Sequence, residues 1–364
     1  MPNERLKILI AAGGTGGHVF PALAIADEIK KLRSDAEFLF IGTKGKIESR
    51  VVPQRGYSLS FIWISGLHRS VRVDNLLFPL KVIVSLVQSF FLIKKFQPDI
   101  VIGTGGYVCG PVLYIASLLG IPMVVHESNS FPGMTTRMLS PRAARIFTAF
   151  DATAHRLKRK DNIQLAGTPT RDVLATVSRE DGIKFFNLDP SRKTVLVFGG
   201  SLGAASINEA VRLLVEDLLD SNIQWIWQTG KSGEMLAKEM ASMKNCRVHT
   251  FIDKIEYAYS AADVVVCRAG ATTLAEVTRL GKASVLIPYP YAASDHQTFN
   301  AQTLVDAGAA VMIADRDVKM KLKDVLYSIL NDDHKRNQMN KASRAMGKAD
   351  AGRDIAKRIL ELAK

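Results

Sequence analysis

Cysteine is scarce in this sequence of 364 residues, and its placement excludes two kinds of site. Cys109, Cys246 and Cys267 lie far apart and form no CxxC pair, so neither a disulfide framework nor a cysteine-based zinc site follows. A cleavable secretory signal is also missing at the start, because the apolar run at residues 8–12 is too short and leads into glycines. We therefore expect buried thiols and a chain that starts in the cytoplasm.

Negative charge is in short supply in the first half of the chain. Residues 1–165 carry 21 Lys and Arg against 11 Asp and Glu, whereas the remainder carries 27 against 24. Such an excess of positive charge attracts phospholipid headgroups or nucleic acid. Because RNA-binding sheets need interleaved aromatic residues, which are missing here, we predict an anionic membrane surface as the partner and no nucleic acid.

Short β-branched segments alternate with amphipathic ones, which is the pattern of parallel strands joined by helices. The strands predicted in the first half are residues 6–12, 37–42, 99–103, 122–126 and 145–148. Those predicted in the second half are residues 194–198, 224–228, 247–251, 263–267, 283–287 and 310–313. We place the hinge in the polar stretch 165–191 and read 341–364 as one or two amphipathic helices. The sequence therefore predicts an α/β fold of two Rossmann-like, doubly wound parallel sheets that face a ligand-binding cleft.

Two glycine-rich loops each follow a predicted strand directly. The first, GGTGGH at 13–18, does not match the dinucleotide fingerprint because position 19 is Val, and no GK[ST] follows for a P-loop. The second, GGSLGA at 199–204, opens the second half in the same way. Such loops bring backbone N–H groups close to an anion or a sugar, or they serve only as tight turns between strand and helix.

A third motif, RAGATTLAE at 268–276, joins a predicted strand to a helix that we expect to start near Thr273. The N-terminus of that helix favours an anion such as a diphosphate. Glu276 has a second interpretation, because Thr273 and Glu276 match a capping box in which the carboxylate only closes the helix end. Three polar clusters also lie at predicted strand-to-helix joints, where catalytic groups gather: HESN at 126–129, GTPTR at 167–171 and DHQTFN at 295–300.

An ordered set of these motifs resembles the MurG-type N-acetylglucosaminyltransferases, glycosyltransferase family 28, over nearly the whole chain. The set comprises the motifs at 13–18, TGGY at 104–107, and those at 126–129, 199–204, 268–276 and 295–300. The resemblance implies a GT-B fold with an acceptor-binding, membrane-associated domain at 1–165 and a UDP-GlcNAc-binding domain at 166–340. It also implies that the C-terminal helix at 341–364 packs back on the first domain.

The same resemblance implies an inverting, metal-independent transfer of GlcNAc from UDP-GlcNAc to the MurNAc 4-hydroxyl of undecaprenyl-pyrophosphoryl-MurNAc-pentapeptide (lipid I). The product would be lipid II for peptidoglycan synthesis, on which cell shape and division depend. The resemblance implies no cofactor, a peripheral position on the cytoplasmic face of the plasma membrane, and other cell-wall synthesis proteins as partners.

Carried over by position, the resemblance places uracil against the backbone at Ile252 and the ribose hydroxyls on Glu276. Gln297 and Asn300 would contact the GlcNAc hydroxyls. The diphosphate would lie on Ser201 and on the turn and helix start formed by Ala271, Thr272, Thr273, Leu274 and Ala275. Other contacts to the donor would come from Thr15, Gly16, Gly17, Asn129 and Arg171. Two positions depart from the family pattern, in which Gln is common at the positions held here by Leu202 and Ser128.

The chemistry of such a transfer needs a base for the acceptor hydroxyl and stabilisation of the departing UDP. His18 is the predicted base, because it lies on the first glycine loop and an imidazole is readily neutral near pH 7. His126, beside Glu127, is the alternative base or a residue that orients the site. We expect the negative charge of the departing UDP to be stabilised by Arg171 and by the helix that starts near Thr273. We interpret DRD at 315–317 as a helix start rather than a metal site.

Residues 76–93 form a strongly apolar stretch, but Pro79, Lys81 and Gln88 interrupt it, and 82–93 alone is too short to span a bilayer. We predict a buried core helix for 82–93. The leading edge at 76–80 has basic neighbours, which suits peripheral attachment to an anionic lipid surface. The predicted membrane residues are Leu76, Leu77, Phe78, Leu80, Arg69, Arg72 and Lys81, with Arg137, Arg142 and Arg145 extending the basic rim.

Other functions stay open at this point. A nonhydrolysing UDP-GlcNAc 2-epimerase would share the architecture and the donor but would need cleft carboxylates beyond Glu127 and Glu276. A glycolipid synthase of the same superfamily would use UDP-galactose and diacylglycerol. A nicotinamide dehydrogenase or a non-catalytic binding protein completes the set.

Overall fold

The computed structural model describes residues 5–66, 77–218 and 222–363, and the chain divides into two compact units. The first unit comprises Met1–Thr170 together with Asp350–Lys364, and the second comprises Arg171–Ala349. The predicted C-terminal segment is therefore shared, because residues 341–349 belong to the second unit and the rest of the segment to the first.

In the described part of the first unit, seven strands form one parallel sheet in the order β3-β2-β1-β4-β5-β6-β7. Apolar runs buried on both faces form its centre, as in β1, where Ile8, Leu9 and Ile10 are fully buried. The strands are β1 (Lys7–Ala11), β2 (Glu37–Gly42), β3 (Ser58–Phe61), β4 (Ile100–Gly103), β5 (Met123–Glu127), β6 (Arg145–Thr148) and β7 (Ile163–Leu165).

Helices cover the sheet of the first unit. They are α1 (Gly16–Leu32), α2 (Glu48–Gln54), α3 (Phe78–Phe96), α4 (Cys109–Leu118), α5 (Met134–Leu139), α6 (Asp151–Ala154) and α15 (Ala351–Leu362), with a 3₁₀ turn at Ser140–Arg142. The last of them, α15, packs against α1. Its buried residues Ile355, Ala356 and Ile359 join Ile25 and Ile29 of α1 in one hydrophobic core.

Among residues 171–218 and 222–349, six strands form the parallel sheet of the second unit, in the order β10-β9-β8-β11-β12-β13. They are β8 (Lys193–Phe198), β9 (Ile223–Gln228), β10 (Cys246–His249), β11 (Val264–Cys267), β12 (Ala283–Leu286) and β13 (Ala310–Met312). The helices are α7 (Arg179–Phe185), α8 (Ala205–Asp217), α9 (Glu234–Glu239), α10 (Ile255–Ala261), α11 (Ala271–Leu280), α12 (His296–Asp306), α13 (Val318–Leu330) and α14 (Asp333–Met346). Single 3₁₀ turns lie at Asp172–Ala175, Lys231–Gly233, Met240–Ser242, Ala293–Asp295 and Asp315–Asp317.

The predicted fold class of two doubly wound parallel sheets is confirmed, and all eleven predicted strands are present. The sequence did not reveal β3 and β7. Both are edge strands of four residues or fewer, and β7 carries only one β-branched residue, so neither has the long apolar run that marks a central strand.

The prediction of a buried core helix at 82–93 is wrong. Helix α3 buries a narrow face of Lys81, Ser85, Ser89 and Ile93, spaced four residues apart. The hydroxyls of Ser85 and Ser89 donate to carbonyls of their own helix, so this polar face is satisfied. Five large apolar side chains point outward, namely Leu80, Ile83, Val87, Phe90 and Phe91, while Leu92 and Phe96 pack against the core. Within the described part of the chain, no helix combines the length and apolarity needed to cross a bilayer.

Each sheet reverses its strand order once, and such a reversal is the usual place for a ligand in a parallel sheet. In the first unit the reversal lies between β1 and β4, and the motifs at 13–18 and 104–107 follow these two strands. In the second unit it lies between β8 and β11, which precede the motifs at 199–204 and 268–276. The topology therefore brings these motifs together in pairs.

Candidate active site

The first glycine loop is short, because α1 already begins at Gly16 with Thr15 as its extended N-cap residue. A buried carboxylate binds the backbone of this loop. Glu48 accepts hydrogen bonds from the N–H of Gly14 (3.1 Å) and from the N–H and hydroxyl of Thr43 (3.0 and 2.8 Å). Glu48 is fully buried at the start of α2 and was not predicted from the sequence. In the sequence, Glu48 is only a single acidic residue shortly after the second predicted strand.

The TGGY motif at 104–107 packs directly against this loop. The backbone of Gly106 has a positive φ of 85°, and a Cβ there would lie 2.3 Å from the carbonyl oxygen of Gly13. The hydroxyl of Thr104 donates to the backbone carbonyl of His18 at 2.7 Å. Only a residue without a side chain fits at Gly106, so the close contact between the two loops depends on glycine.

His18 lies in the first turn of α1 and is partly exposed. Its Nδ1 is 3.3 Å from the Gly13 carbonyl oxygen and 3.2 Å from the Thr15 hydroxyl. The ring packs on Gly105, where a Cβ would lie 2.4 Å from the His18 ring. A proton on Nδ1 would be held by the Gly13 carbonyl, and the basic lone pair would then belong to Nε2.

The alternative base, His126, lies at the end of β5 and is buried. Its Nε2 is 2.9 Å from the Gly167 carbonyl oxygen, and its Nδ1 is 3.3 Å from the hydroxyl of Ser128. Burial lowers the pKa of His126. The structure therefore holds this imidazole neutral within a hydrogen-bonded interior position.

Glu127, the neighbour of His126, organises the loop that follows β5. Its carboxylate accepts from the backbone N–H and side-chain amide of Asn129 (3.0 and 3.1 Å), from the N–H of Gly133 (2.9 Å) and from the Thr136 hydroxyl (2.7 Å). Two of these four bonds fix Asn129 in place, and the other two hold the loop as far as the start of α5. Ser128, one of the two departures from the family pattern, is buried beside this network.

In the second unit, the glycine loop after β8 is held by backbone contact rather than by a carboxylate. Gly203 and Gly230 have positive φ values, and a Cβ on Gly230 would lie 2.1 Å from the backbone nitrogen of Gly203. The N–H of Lys231 donates to the carbonyl of Ser201 at 3.0 Å. The tip of the loop is exposed, and Leu202, the other departure from the family pattern, is 74% exposed.

Helix α11 begins at Ala271, with Gly270 as its N-cap, two residues before the predicted start near Thr273. The residues at 271–273 are therefore its first turn, whose N–H groups lack partners inside the helix. The hydroxyl of Thr272 is buried and has no hydrogen-bond partner among the described residues. A buried hydroxyl without a partner is costly, so this position suits a bound acceptor group such as a phosphate oxygen.

The capping-box interpretation of Glu276 is wrong, because Glu276 lies well inside α11. Its carboxylate accepts from the Tyr259 hydroxyl at 3.0 Å and lies 3.5 Å from Nη2 of Arg171. Burial raises the pKa of Glu276 even though Arg171 and Tyr259 favour its charged form. Arg171 and Glu276, each predicted separately as a donor-site residue, thus lie together within the second unit.

Three further predicted positions surround these elements. The N–H of Ile252 donates to the side-chain oxygen of Gln228 at 2.9 Å, and Gln228 in turn donates to the Gly200 carbonyl at 3.2 Å. Gln297 accepts from the backbone N–H of Tyr289 at 2.9 Å. Asn300 is fully buried and donates to the Ala269 carbonyl at 3.3 Å, so it supports the turn before α11. Their predicted sugar and base contacts stay predictions.

The acidic triplet at 315–317 forms a 3₁₀ turn that leads directly into α13, which confirms its interpretation as a helix start. Asp315 accepts from the guanidinium of Arg268 and from the hydroxyl of Ser206. Arg268 also donates to the carbonyls of Ile287 and Pro288, each at 3.2 Å. This arginine ties the ends of β11, β12 and β13 together, a structural role that the sequence motif does not reveal.

Comparison with known proteins follows the same division of the chain. Residues 8–148 match the glycosyltransferase family 28 N-terminal domain, and residues 194–359 match the glycosyltransferase family 28 C-terminal domain. The chain belongs to glycosyltransferase family 28. Every motif described above lies inside one of the two family 28 domains, except GTPTR at 167–171, which lies between them in the sequence.

Relatives in family 28 cover the chain from end to end. One from Chlorobaculum tepidum is 43% identical over 365 residues, covering 99% of this chain and 100% of its own. One from Flavobacterium psychrophilum is 40% identical over 361 residues, covering 99% and 98%. Both are named UDP-N-acetylglucosamine–N-acetylmuramyl-(pentapeptide) pyrophosphoryl-undecaprenol N-acetylglucosamine transferase. The crystal structure of Acinetobacter baumannii MurG is similar with a TM-score of 0.78 at 29% identity, covering 98% of this chain and 99% of that one.

Proposed function

We propose that this chain transfers GlcNAc from UDP-GlcNAc to the MurNAc 4-hydroxyl of undecaprenyl-pyrophosphoryl-MurNAc-pentapeptide, with inversion at the anomeric carbon. The observation that carries the proposal is the pair of motifs at 199–204 and 268–276. They follow β8 and β11, the two strands between which the strand order of the second sheet reverses. There, the exposed Ser201 loop, the first turn of α11 and the unpartnered Thr272 hydroxyl offer donors for a diphosphate. The names and full-length similarity of the family 28 relatives supply the sugar and the acceptor.

We assign the donor to the second unit. The N–H groups at Ala271, Thr272 and Thr273 would take the diphosphate, where the partial positive charge of the helix N-terminus meets the charge that builds up on departing UDP. The Glu276 carboxylate would accept from the ribose hydroxyls, as its position beside Arg171 allows. Uracil would pair with the backbone carbonyl of Ile252, because the N–H of this residue is already used by Gln228.

We assign the acceptor and the general base to the first unit. His18 is favoured over His126, because His18 is partly exposed while His126 is buried with both ring nitrogens bonded. With Nδ1 held by the Gly13 carbonyl, Nε2 of His18 would take the proton from the attacking hydroxyl. Thr15, Gly16, Gly17 and Asn129 are proposed to complete the binding of the sugar donor.

We also propose that the first unit attaches peripherally to the cytoplasmic face of an anionic membrane. The exposed apolar face of α3 supports this, together with Tyr114 and Leu118 on the adjoining α4 and Met134 and Met138 on α5. Arg142 lies 5.1 Å from the Tyr114 ring, which places a cation beside the apolar surface. Lys81 is buried against Ser65 and Trp63 and is left out of this surface, and Arg69, Arg72 and Leu76 lie outside the described residues.

The attachment is tested by changing Leu77, Leu80 and Ile83 together to Ser and measuring cosedimentation with phosphatidylglycerol vesicles. The triple variant should lose most of its vesicle binding, because the apolar area that enters the lipid is gone. A control with Met235→Ser and Met320→Ser removes two even more exposed apolar residues from the second unit and should bind as before. Unchanged binding by the triple variant would contradict the attachment.

The transfer itself is tested with radiolabelled UDP-GlcNAc and a short-chain lipid I analogue, with EDTA present and UDP-galactose as the control donor. We expect labelled lipid II from UDP-GlcNAc and none from UDP-galactose, in the presence of EDTA. ManNAc formed from UDP-GlcNAc without an acceptor would replace the proposal with the epimerase reaction. Transfer from UDP-galactose to diacylglycerol would replace it with glycolipid synthesis.

A further inference from the structure

A polar pocket lies in the second unit, away from the motifs described so far. Its volume is about 550 Å³, which falls within the range of small-molecule sites. Five cationic side chains line it against one carboxylate, that of Asp263. The five are Arg179, Lys282, Arg336, Lys341 and Arg344.

The pocket lies at the N-terminal ends of the strands, whereas the proposed donor site lies at their C-terminal ends. Its residues at 262–263 immediately precede β11, and those at 281–282 immediately precede β12, whereas the diphosphate motif follows β11. A strand of four residues spans roughly 13 Å, so the two sites are separate. Helix α11 runs between them, because it begins at Ala271 and ends at Leu280, before the left-handed Gly281 of the pocket.

Two of the five cations are already neutralised by carboxylates. Arg179 lies 3.2 Å from Asp263, and Arg336 pairs with Asp333. The other three have no carboxylate within 4.0 Å among the described residues. Lys282 donates to the Ala262 carbonyl at 2.7 Å, and Arg344 donates to the Leu280 carbonyl at 2.9 Å, while Lys341 is exposed on α14. Concave surfaces with uncompensated charge of one sign concentrate ions of the other sign.

The environment of Lys282 adds to this imbalance. Burial, with smaller contributions from the positive charges of Arg179 and Arg344, lowers the pKa of Lys282 to about 8, although the carboxylate of Asp263 opposes the shift. Its ammonium is thus held in charged form at a cost that a bound anion would relieve. The pocket also offers the side-chain amide groups of Asn337 and Asn340, but no aromatic ring on which a nucleobase could stack.

We propose that this pocket binds a small, multiply charged phosphate compound without a nucleobase, such as a pyrophosphate or a sugar bisphosphate. Arginine and lysine side chains that converge on one cavity suit several phosphate oxygens at once. The site is independent of the proposed transferase activity, since none of its residues belongs to the motifs that carry that activity.

The experiment is calorimetric titration of inorganic pyrophosphate into the full-length chain. Because pyrophosphate should also reach the diphosphate motif, the titration is repeated with saturating UDP, which holds that motif through its uracil and ribose as well as its diphosphate and so outcompetes pyrophosphate there. Lys341→Glu reverses one pocket charge on an exposed helix position, and Lys357→Glu makes the same change on α15 in the first unit as the matched control. Thermal melting of each variant shows that the fold is kept.

We expect pyrophosphate binding that survives UDP, is weakened about tenfold or more by Lys341→Glu, and is unchanged by Lys357→Glu. The absence of UDP-resistant binding, or equal binding by wild type and Lys341→Glu, would overturn the proposal. Vesicles that contain phosphatidic acid, whose headgroup is a phosphomonoester, then identify the source of the phosphate. Weaker vesicle binding by Lys341→Glu assigns a lipid headgroup, whereas unchanged vesicle binding assigns a free compound. If the transferase proposal failed, the effect of Lys341→Glu would still be read in the absence of UDP.

Discussion

The two units share one arrangement, in which a strand leads through a glycine loop into a helix at the point where the strand order of the parallel sheet reverses. They differ in the contacts that hold this loop. In the first unit, the buried carboxylate of Glu48 binds the loop and an imidazole follows it at His18. In the second, Gly203 and Gly230 lock the loop by backbone contact, and its tip carries Ser201 and no titratable side chain. We therefore propose that the same topology serves proton transfer in one unit and anion binding in the other, according to a few side chains.

The sharpest test of this contrast is His18→Ala, which removes the imidazole from the first unit only. We expect turnover to fall by roughly 10² to 10⁴, because general base catalysis contributes about that much, while the affinity for UDP-GlcNAc stays nearly unchanged. The measurement is kcat alongside donor binding. His155→Ala changes an exposed histidine of the same unit and serves as the control. A loss of under tenfold would move the role of base away from His18.

The corresponding change in the second unit is Glu276→Ala, which should lower the affinity for UDP-GlcNAc more than the turnover. Donor affinity should fall by roughly 10- to 100-fold, because a hydrogen bond to a charged group contributes about 1.5–3 kcal/mol. The measurement is the dissociation constant of UDP-GlcNAc, with the exposed Glu234→Ala as a control. Unchanged affinity would show that the buried carboxylate serves only to hold Tyr259 and Arg171.

Glu48→Gln tests whether the carboxylate positions the first loop. An amide cannot accept from Gly14 and Thr43 on both atoms, so about 1–3 kcal/mol of stability should be lost. The loop would loosen, and kcat should fall about tenfold with little change in donor affinity, because the second unit is untouched. Unfolding in urea and steady-state kinetics check both results. Glu48→Asp, which keeps the charge, should recover part of kcat if positioning is the cause.

The smallest expected effect comes from Thr272→Val, a change of nearly constant shape. Because the Thr272 hydroxyl has no partner within the described residues, its removal should leave the free energy of unfolding the same or slightly higher. UDP affinity should nevertheless drop by about threefold to tenfold, since the missing hydroxyl would bind the diphosphate. A loss of stability with unchanged UDP affinity would contradict that role.

The sequence predicts the framework of both units well because buried parallel strands leave long apolar runs that are easy to recognise. It fails where a feature depends on contacts from distant parts of the chain. The exposed apolar face of α3 is an example, since the composition of that segment suits a core helix equally well. Only its packing, with Ser85 and Ser89 turned inward, separates the two possibilities.

The candidate site shows the same limit. Motifs next to the strands identify Ser201, the α11 turn and His18, because their positions follow directly from the strand ends. Glu48 gives no such signal, because its importance comes from bonds to Gly14 and Thr43 that only the folded chain reveals. Likewise, Glu276 fits a capping box by spacing alone, and the true helix start at Ala271 excludes it.

The packing of α15 on α1 has a consequence for how the chain is made. Synthesis proceeds from the N-terminus, so β1 to β7 leave the ribosome long before α15 does. Until Ile355, Ala356 and Ile359 emerge, the apolar side chains of α1 that they cover stay open to water. The second unit can form its core first, although it lies later in the sequence, and the first unit is completed last. Nascent chains stalled before α15 should therefore be the ones that chaperones bind most strongly.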